Sequence, residues 1–187
     1  MSLPPGEWRT GVTDVTITRM LLLVVRHAIA EDPAEYARDH ADDAGRPLTP
    51  EGRKKMKRAA RGLRALVPAL DRLATSPLTR AQQTAEILAA AYDGIEPATV
   101  AALAPGQPTA ALAAWLGGQL RHQAVAIVGH EPGLSRAVSW FLAGGERSFI
   151  ELKKGAACLL ECADHVGGGS AILQWALTPS QLRDLGN

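Results

Sequence analysis

The sequence lacks the features that mark several classes of protein. Its 187 residues carry a formal net charge of only +1, and such a small charge argues against a dedicated nucleic-acid binder. The longest aliphatic run, Met20–Val25, is far shorter than the ~20 residues that span a bilayer, so we expect no membrane anchor. Residues 1–19 lack the basic, apolar and small-residue order of a secretory signal.

Cysteine is scarce as well, with Cys158 and Cys162 the two in the chain. If their apolar segment is a strand, both side chains lie on one face but well apart along it, which disfavours a disulfide. No second cysteine pair or Cys–His cluster provides a zinc site. We therefore expect two buried small side chains, no metal, no cofactor and a reducing, cytoplasmic environment.

Length and composition indicate an ordinary globular protein. Hydrophobic residues make up 47% of the chain and charged residues 21%, which excludes a disordered chain. At this length one domain is the expected number. We predict an N-terminal extension over residues 1–19 and a single domain over residues 20–187.

Short apolar runs alternate with helical patterns along the chain. The runs that predict strands are Met20–Val25, Leu73–Thr75, Ala124–Val128 and a late pair, Ala156–Cys162 and Ala171–Ala176. Strands that alternate with helices indicate an α/β fold of three layers, with a mainly parallel sheet and helices on both faces.

Capping residues predict where the intervening helices begin. Thr49–Pro50 fits an N-cap followed by the first helical residue, Ser76–Pro77 opens a second helix, and Pro132 opens another as its first residue. A further helix is marked by the apolar spacing within residues 112–120.

Polar clusters follow three of the predicted strands. They are Arg26–His27–Ala28, Ser76–Pro77–Leu78–Thr79–Arg80 and Gly129–His130–Glu131–Pro132. Ligands of such folds bind beyond the carboxyl ends of the strands, so two arginines and two histidines should meet beside helix N-termini. This positive, donor-rich set suits a tetrahedral phosphoryl group. His40, His122 and His165 have no such context and are expected at the surface.

Four segments in this order, LLLVVRHA, RPLTPEG, SPLTRAQQTAEIL and VGHEPGLS, resemble the motifs of the histidine phosphatase superfamily, which has the phosphoglycerate-mutase-like fold. The resemblance extends from about Met20 to the C-terminus. The short chain, the element Arg46–Thr49 and the late segment Trp175–Pro179 are similar to its small bacterial branch, the phosphohistidine phosphatases.

The resemblance implies a role for five residues. His27 matches the nucleophilic histidine, Arg26 and Arg80 match phosphate-binding arginines, and His130 matches the second catalytic histidine, which also contacts phosphate. Arg46 matches an additional phosphate-binding arginine of the small branch. The reaction implied is transfer of a phosphoryl group to His27 and then to water, with no metal.

Ala28 departs from the family's Arg-His-Gly type of motif. A backbone carbonyl remains at this position, but a positive φ there would be strained in alanine.

The segment after the third structural unit lacks an expected carboxylate. Mutases and phosphomonoesterases of the superfamily typically supply a general acid there, whereas residues 101–108 read AALAPGQP. Because imidazole leaves far more readily than an alkoxide, a site without an acid favours P–N over P–O cleavage. Glu31, Asp32 and Glu131 remain candidate acids.

Three functions therefore stay open. The first is a phosphohistidine phosphatase that acts on a phosphoprotein, for example a histidine phosphotransfer domain. The second is a phosphomonoesterase of small phosphate esters, and the third is a phosphate-binding module without catalysis. A basic run on the helix that starts near Pro50 is interpreted as a solvated face in preference to a docking surface for an acidic phosphoprotein; it comprises Arg53, Lys54, Lys55, Lys57, Arg58, Arg61 and Arg64.

Overall fold

A six-stranded sheet forms the centre of the computed structural model, which describes residues 19–187. Apart from Arg19, the predicted extension over residues 1–19 lies outside the described residues. The strands are β1 (Met20–Arg26), β2 (Arg72–Thr75), β3 (Ala98–Thr99), β4 (Ala124–Gly129), β5 (Ala157–Cys162) and β6 (Ala171–Leu177).

The sheet is mainly parallel, as the sequence predicted. Its order is β3-β2-β4-β1-β5-β6. The pairs β2–β3, β2–β4 and β1–β4 are parallel, whereas β5 runs antiparallel to both β1 and β6. The late pair of predicted strands is therefore an antiparallel hairpin at one edge of the sheet.

Helices cover both faces of this sheet. The covering helices are α2 (Pro50–Leu66), α3 (Thr79–Ala91), α4 (Thr109–Gly117), α5 (Gly133–Ala143) and α6 (Pro179–Leu185), whereas the short α1 (Pro33–Tyr36) buries no residue. Buried side chains of α2, α3 and α6 pack on one face, and those of α4 and α5 pack on the other. The predicted three-layer α/β fold is confirmed.

Strand β1 shows why the sheet holds two cores. Leu23 and Val25 pack into the core under α2 and α3, while Leu22 and Val24 pack into the core under α4 and α5. Successive strand residues point to opposite faces, so a strand buried on both sides needs a continuous apolar run.

The start of α2 agrees with its predicted cap, but two other helices begin later than predicted. The Thr49 hydroxyl accepts a hydrogen bond from the Gly52 amide at 2.9 Å. In contrast, α3 begins at Thr79 with Leu78 as its N-cap, and Pro132 is the N-cap of α5 and not its first helical residue. Ser76 continues the sheet instead, since its amide donates to Val128 O at 3.0 Å.

The two cysteines behave as the sequence predicted. Cys158 and Cys162 are free and buried, and both belong to the same core. Burial raises the pKa of the Cys158 thiol to about 12 and that of Cys162 to about 11. Over residues 19–187, no helix is long and apolar enough to cross a membrane.

Candidate active site

The two histidines of the predicted site follow neighbouring strands at the same edge of the sheet. Strands β1 and β4 pair in register, with Arg26 opposite Gly129, so His27 and His130 come next on each. Their ring centroids lie 5.0 Å apart, and each residue is only 5% exposed. Parallel pairing therefore brings together two residues that are 103 positions apart in the sequence.

His27 is held as a neutral imidazole in one tautomer. Its Nδ1 lies 2.7 Å from Ala28 O, and because a carbonyl oxygen can only accept, the proton sits on Nδ1. Burial, opposed by this hydrogen bond and aided by Arg80, Arg26 and Lys154, lowers the pKa of His27 to about 4. The Nε2 lone pair is therefore available at neutral pH, as a nucleophile requires.

The backbone around His27 is fixed on several sides. The His27 amide donates to Gly129 O at 3.0 Å, and His27 O accepts from the Gly155 amide at 3.0 Å. The Ala28 amide donates to the Thr84 hydroxyl of α3 at 3.0 Å. Among residues 19–187, Asp93 is the one non-glycine residue with a positive φ, so alanine at position 28 brings no backbone strain.

His130 is paired with Ser76, a serine that its position before a proline predicted to open a helix. Its Nε2 lies 2.8 Å from the Ser76 hydroxyl, while its buried Nδ1 has no partner among the described residues. Burial, together with His27 and the two arginines 80 and 26, lowers the pKa of His130 to about 3. If Ser76 donates to Nε2, the proton lies on Nδ1, which is then free to donate to a bound oxyanion.

Arg26 and Arg80 bring fixed positive charge to the histidine pair. Nη1 of Arg26 donates to Leu152 O at 2.7 Å, and Nη1 of Arg80 lies 3.1 Å from both Asp43 O and Asp43 Oδ2. The Nε atoms of both arginines are buried without a partner in the described part of the chain. Buried donors of this kind need an acceptor, and a phosphoryl oxygen fits.

Arg46 reaches the site, but most of its donors are already engaged. Its Nε donates to Asp43 Oδ1 at 2.6 Å and its Nη1 to Glu31 O at 2.7 Å. The Asp43 carboxylate thus lies between Arg46 and Arg80, and the hydrogen bond from Arg46 is the main cause that lowers the pKa of Asp43. This geometry favours a positioning role for Arg46, in which it holds Asp43 against Arg80.

All five predicted site residues line one cleft of about 580 Å³. The sequence pattern placed Ser76 in a cluster after a strand without a role of its own, and it did not indicate Asp42, Asp43 or Lys154 for the site. Asp42, Asp43 and Lys154 line the cleft; they come from the loop before α2 and the loop before β5, which no strand-end argument locates.

The carboxylates near the cleft differ in how many of their oxygens accept hydrogen bonds and in whether they line the cleft. Glu131 lines the cleft, but its two oxygens accept from the amides of Leu152 and Ser135 at 2.9 and 3.2 Å. Glu31 and Asp32 are exposed and are not among the lining residues. Asp42 lines the cleft and uses one oxygen, Oδ1, to accept from the Ala44 amide at 2.9 Å.

The segment 101–108 reaches the cleft through Pro105. It therefore lies where the resemblance places a general acid, but contributes an apolar ring there. Within residues 19–187, no group of three or more His, Cys, Asp or Glu side chains is arranged to hold a metal ion. Metal independence of the reaction stays a prediction.

Comparison with known proteins gives both sequence and structural matches. The family model described as histidine phosphatase superfamily (branch 1) matches residues 22–104. An uncharacterized protein of Picosynechococcus sp. (strain ATCC 27264 / PCC 7002 / PR-6) is 39% identical over 140 residues, which cover 72% of this chain and 81% of that protein.

Three solved structures are similar in fold. The protein histidine phosphatase SixA complexed with tungstate matches with a TM-score of 0.74 and 22% identity, covering 87% of this chain and 99% of that chain. The alpha-ribazole phosphatase from Shigella flexneri gives 0.68 and 16%, covering 86% and 97%. A phosphoserine phosphatase mutant from Entamoeba histolytica, in complex with phosphoserine, gives 0.63 and 15%, covering 87% and 99%. These solved structures show a shared fold.

Proposed function

The chain belongs to the histidine phosphatase superfamily, and we propose that it is a metal-independent phosphohistidine phosphatase that forms a covalent intermediate on His27. Its proposed substrate is a phosphorylated protein, for example a histidine phosphotransfer domain, in the cytoplasm. The observation that carries this proposal is the combination, in one cleft, of a neutral His27 whose Nδ1 is held by Ala28 O and of Pro105, which lines the cleft on the segment where the resemblance places a general acid.

The first step is attack of His27 Nε2 on the phosphorus atom. A P–N bond forms to His27 as the P–N bond to the substrate histidine breaks, and the departing imidazole takes the bonding electron pair. When the other ring nitrogen of the substrate is protonated, this product is neutral imidazole and needs no proton from the enzyme. The Nδ1–H of His27 stays on Ala28 O and stabilises the positive charge that the ring acquires.

The second step is in-line attack of water on phospho-His27. The water oxygen forms the new P–O bond while the P–N bond breaks and its electron pair returns to His27 Nε2. One of the two water protons passes to a phosphate oxygen or to solvent. His27 returns to its neutral tautomer because Ala28 O still accepts from Nδ1.

Positive charge and N–H donors stabilise both transfers. Arg26 and Arg80 flank the two histidines, and the unpartnered Nδ1 of His130 supplies a further donor when Ser76 donates to its Nε2. Phosphoryl transfer depends mainly on positioning and on neutralising charge on the equatorial oxygens, and this set of residues provides both.

The preference for phosphohistidine rests on the state of the cleft carboxylates. Glu131 is engaged by two amides and Asp43 by two arginines. An alkoxide is strongly basic and needs a proton donor to leave, whereas imidazole does not. These two engaged carboxylates favour P–N cleavage, whereas Asp42 is the lining carboxylate with a free oxygen among residues 19–187.

Trapping of the intermediate tests this proposal. A peptide with phosphohistidine labelled with radioactive phosphate is mixed with the enzyme and quenched within one turnover in alkali, which preserves phosphohistidine. We expect label on the protein that is lost in acid, maps to His27, and is absent from His27→Ala. His165→Ala, which removes an exposed histidine, is the matched control. Normal turnover by His27→Ala would contradict the mechanism.

One observation favours a second candidate, a phosphomonoesterase of small esters. Asp42 lines the cleft and is exposed. Among residues 19–187, its side chain accepts one hydrogen bond, through Oδ1. A carboxyl group placed there has an oxygen free to protonate an alcohol leaving group. Comparing phosphohistidine with alkyl phosphates, before and after Asp42→Asn, separates the two functions.

A further inference from the structure

A second cavity, of about 360 Å³, lies directly beside the cleft. Arg26 and Lys154 line both of them. The cavity is bounded by the loop after β1, the first turns of α2, the loop that carries Lys153, and α6. A group that enters it is thus a close neighbour of a phosphoryl group bound at His27.

The cavity is strongly cationic. Arg26, Lys55, Lys153, Lys154 and Arg183 line it, and no aspartate or glutamate does so among the residues that the structure describes. Lys55 also forms an ion pair with Glu51 at 3.2 Å, in which both side chains are exposed. Five positive side chains around one concave space attract an anionic group.

Three arginines of α2 already donate hydrogen bonds elsewhere. They donate to the end of the chain or to the end of α3: Arg58 to Asn187, Arg61 to Gly186 O, and Arg64 to Ala91 O and Asp93. The basic residues of this helix therefore do not form one uniform surface. Lys55 lies at the cavity, whereas Lys54 is exposed and fits the interpretation as a solvated face.

The walls of the cavity are held in place by close backbone contacts. Gly155, which follows Lys154, donates its amide to Arg26 O and His27 O at 3.2 and 3.0 Å. At Gly52 a Cβ atom would lie 2.0 Å from Ile29 O, so the start of α2 packs directly on the loop after β1. These contacts fix the cavity relative to the nucleophile, which favours a binding site formed in advance.

An apolar surface completes the cavity. Ile29, Met56, Ala59 and Pro179 contribute to its lining. A bare inorganic anion would leave this surface uncovered, whereas a glutamate or aspartate side chain carries methylene groups that cover it and a carboxylate for the cations. The shared wall with the cleft favours a group attached to the same molecule as the phosphoryl group.

We propose that this cavity receives an acidic side chain that flanks the phosphorylated histidine of a protein substrate. This inference rests on the proposed function, since it adds a determinant of substrate choice to the same site. Lys55 and Arg183 are specificity residues in this view, because they line the cavity and not the cleft.

Binding experiments test the proposal separately from catalysis. In a His27→Ala background, two phosphohistidine peptides that differ only in a flanking Glu or Gln are titrated by calorimetry, with several spacings between the two positions. We expect one spacing at which the Glu peptide binds more tightly. Lys55→Ala and Arg183→Ala should each reduce that preference, by roughly threefold to tenfold for a half-buried charge pair.

The control is Lys54→Ala, which removes the same charge from the neighbouring, exposed position of α2. It should leave the preference unchanged, and in enzymes with His27 intact none of the three substitutions should alter nitrophenyl phosphate hydrolysis more than twofold. If Lys54→Ala has the same effect, the attraction is general and the cavity is not a specific site.

Two further outcomes would overturn the proposal. Equal affinity for Glu and Gln peptides at every spacing would show that no acidic side chain is received. Tight binding of a free dicarboxylate that Lys55→Ala abolishes, without any peptide preference, would make the cavity an effector site. A failure of phosphohistidine hydrolysis alone would instead count against the proposed function, because the calorimetry uses the inactive background.

Discussion

Glu131 Oε1 accepts a hydrogen bond from the Leu152 amide at 2.9 Å, and Leu152 O accepts from Arg26 Nη1 at 2.7 Å. The second oxygen of Glu131 accepts from the Ser135 amide at 3.2 Å. Glu131 therefore holds the loop that contains Leu152, and this loop positions Arg26. Arg26 in turn is adjacent to His27. This relationship gives Glu131 a positioning role that is distinct from general acid catalysis.

Glu131→Gln should lower kcat/KM by roughly tenfold, to a similar degree for nitrophenyl phosphate and phosphohistidine. The amide side chain retains one acceptor oxygen, so the anchoring of Leu152 or of Ser135 is weakened and Arg26 is less well placed. A general acid would behave differently, because its loss costs ~10² or more and mainly for poor leaving groups.

Steady-state kinetics on both substrates and on an alkyl phosphate checks the Glu131 prediction, with Glu151→Gln, an exposed neighbour of Leu152, as the control. A large loss confined to alkyl phosphates would reassign Glu131 as the acid.

Arg80 and Arg46 should differ strongly when each is replaced. Arg80→Ala removes the guanidinium N–H donors beside His27 and His130. It should lower the rate by roughly 10²–10³, as does the loss of one preorganised donor that stabilises charge in a transition state. Arg46→Ala should cost about tenfold, since Arg46 donates to Asp43 and Glu31 O and acts through Asp43. The inhibition constant of vanadate, a five-coordinate phosphate mimic, provides a second measurement.

For vanadate, Arg80→Ala should weaken inhibition far more than Arg46→Ala. Equal effects of the two substitutions would mean that Arg46 contacts the phosphoryl group directly, as the resemblance first implied.

Site residues that follow a strand could be predicted from the sequence, whereas site residues on loops that fold back to the cleft could not. His27, Arg80 and His130 follow buried strands or open the next helix, so parallel pairing alone predicts that they meet. Asp43 and Lys154 come from loops whose path depends on tertiary packing, such as the Gly155 amide donating to His27 O. Ser76 was misjudged because a serine before proline is typical of a helix start, whereas here the hydroxyl contacts His130.

The stability of the protein should fall as the pH is lowered from about 6.5 to about 3. Burial lowers the pKa of His27 to about 4 and that of His130 to about 3, while a histidine in the unfolded chain titrates near ~6.5. Below pH 6.5 the unfolded chain therefore binds protons first, and the free energy of unfolding decreases. By pH 5 each histidine should account for a loss on the order of 2 kcal/mol.

Urea denaturation at pH 7.5 and pH 5 measures this loss of stability. The decrease between the two pH values should be smaller in His27→Gln and unchanged in His165→Gln. An NMR titration that showed His27 gaining its proton near pH 6.5 would rule out the neutral, buried nucleophile described above.

Activity should survive removal of divalent metals. Two arginines and two histidines already place positive charge and donors around the phosphoryl site, so no ion is needed to neutralise the transferred group. Prolonged dialysis against a chelator, followed by assay in chelator, should leave turnover within twofold of the untreated enzyme. Restoration of a lost activity by Mg²⁺ or Zn²⁺ would count against the proposed mechanism.

The rate of phospho-His27 formation should fall steeply as the pKa of the leaving group rises. Glu131 and Asp43 are engaged by amides and arginines, and Pro105 lines the cleft where an acid is expected, so a poor leaving group departs without a proton. A series from nitrophenyl through phenyl to alkyl phosphates, with phosphohistidine as a reference, gives the dependence in single-turnover experiments.

Asp42→Asn should leave the slope of this dependence unchanged. Asp32→Asn and Glu31→Gln, which alter exposed carboxylates outside the cleft lining, should also leave it unchanged. A shallow slope that becomes steep in Asp42→Asn would identify Asp42 as the general acid, and the protein would then be a phosphomonoesterase.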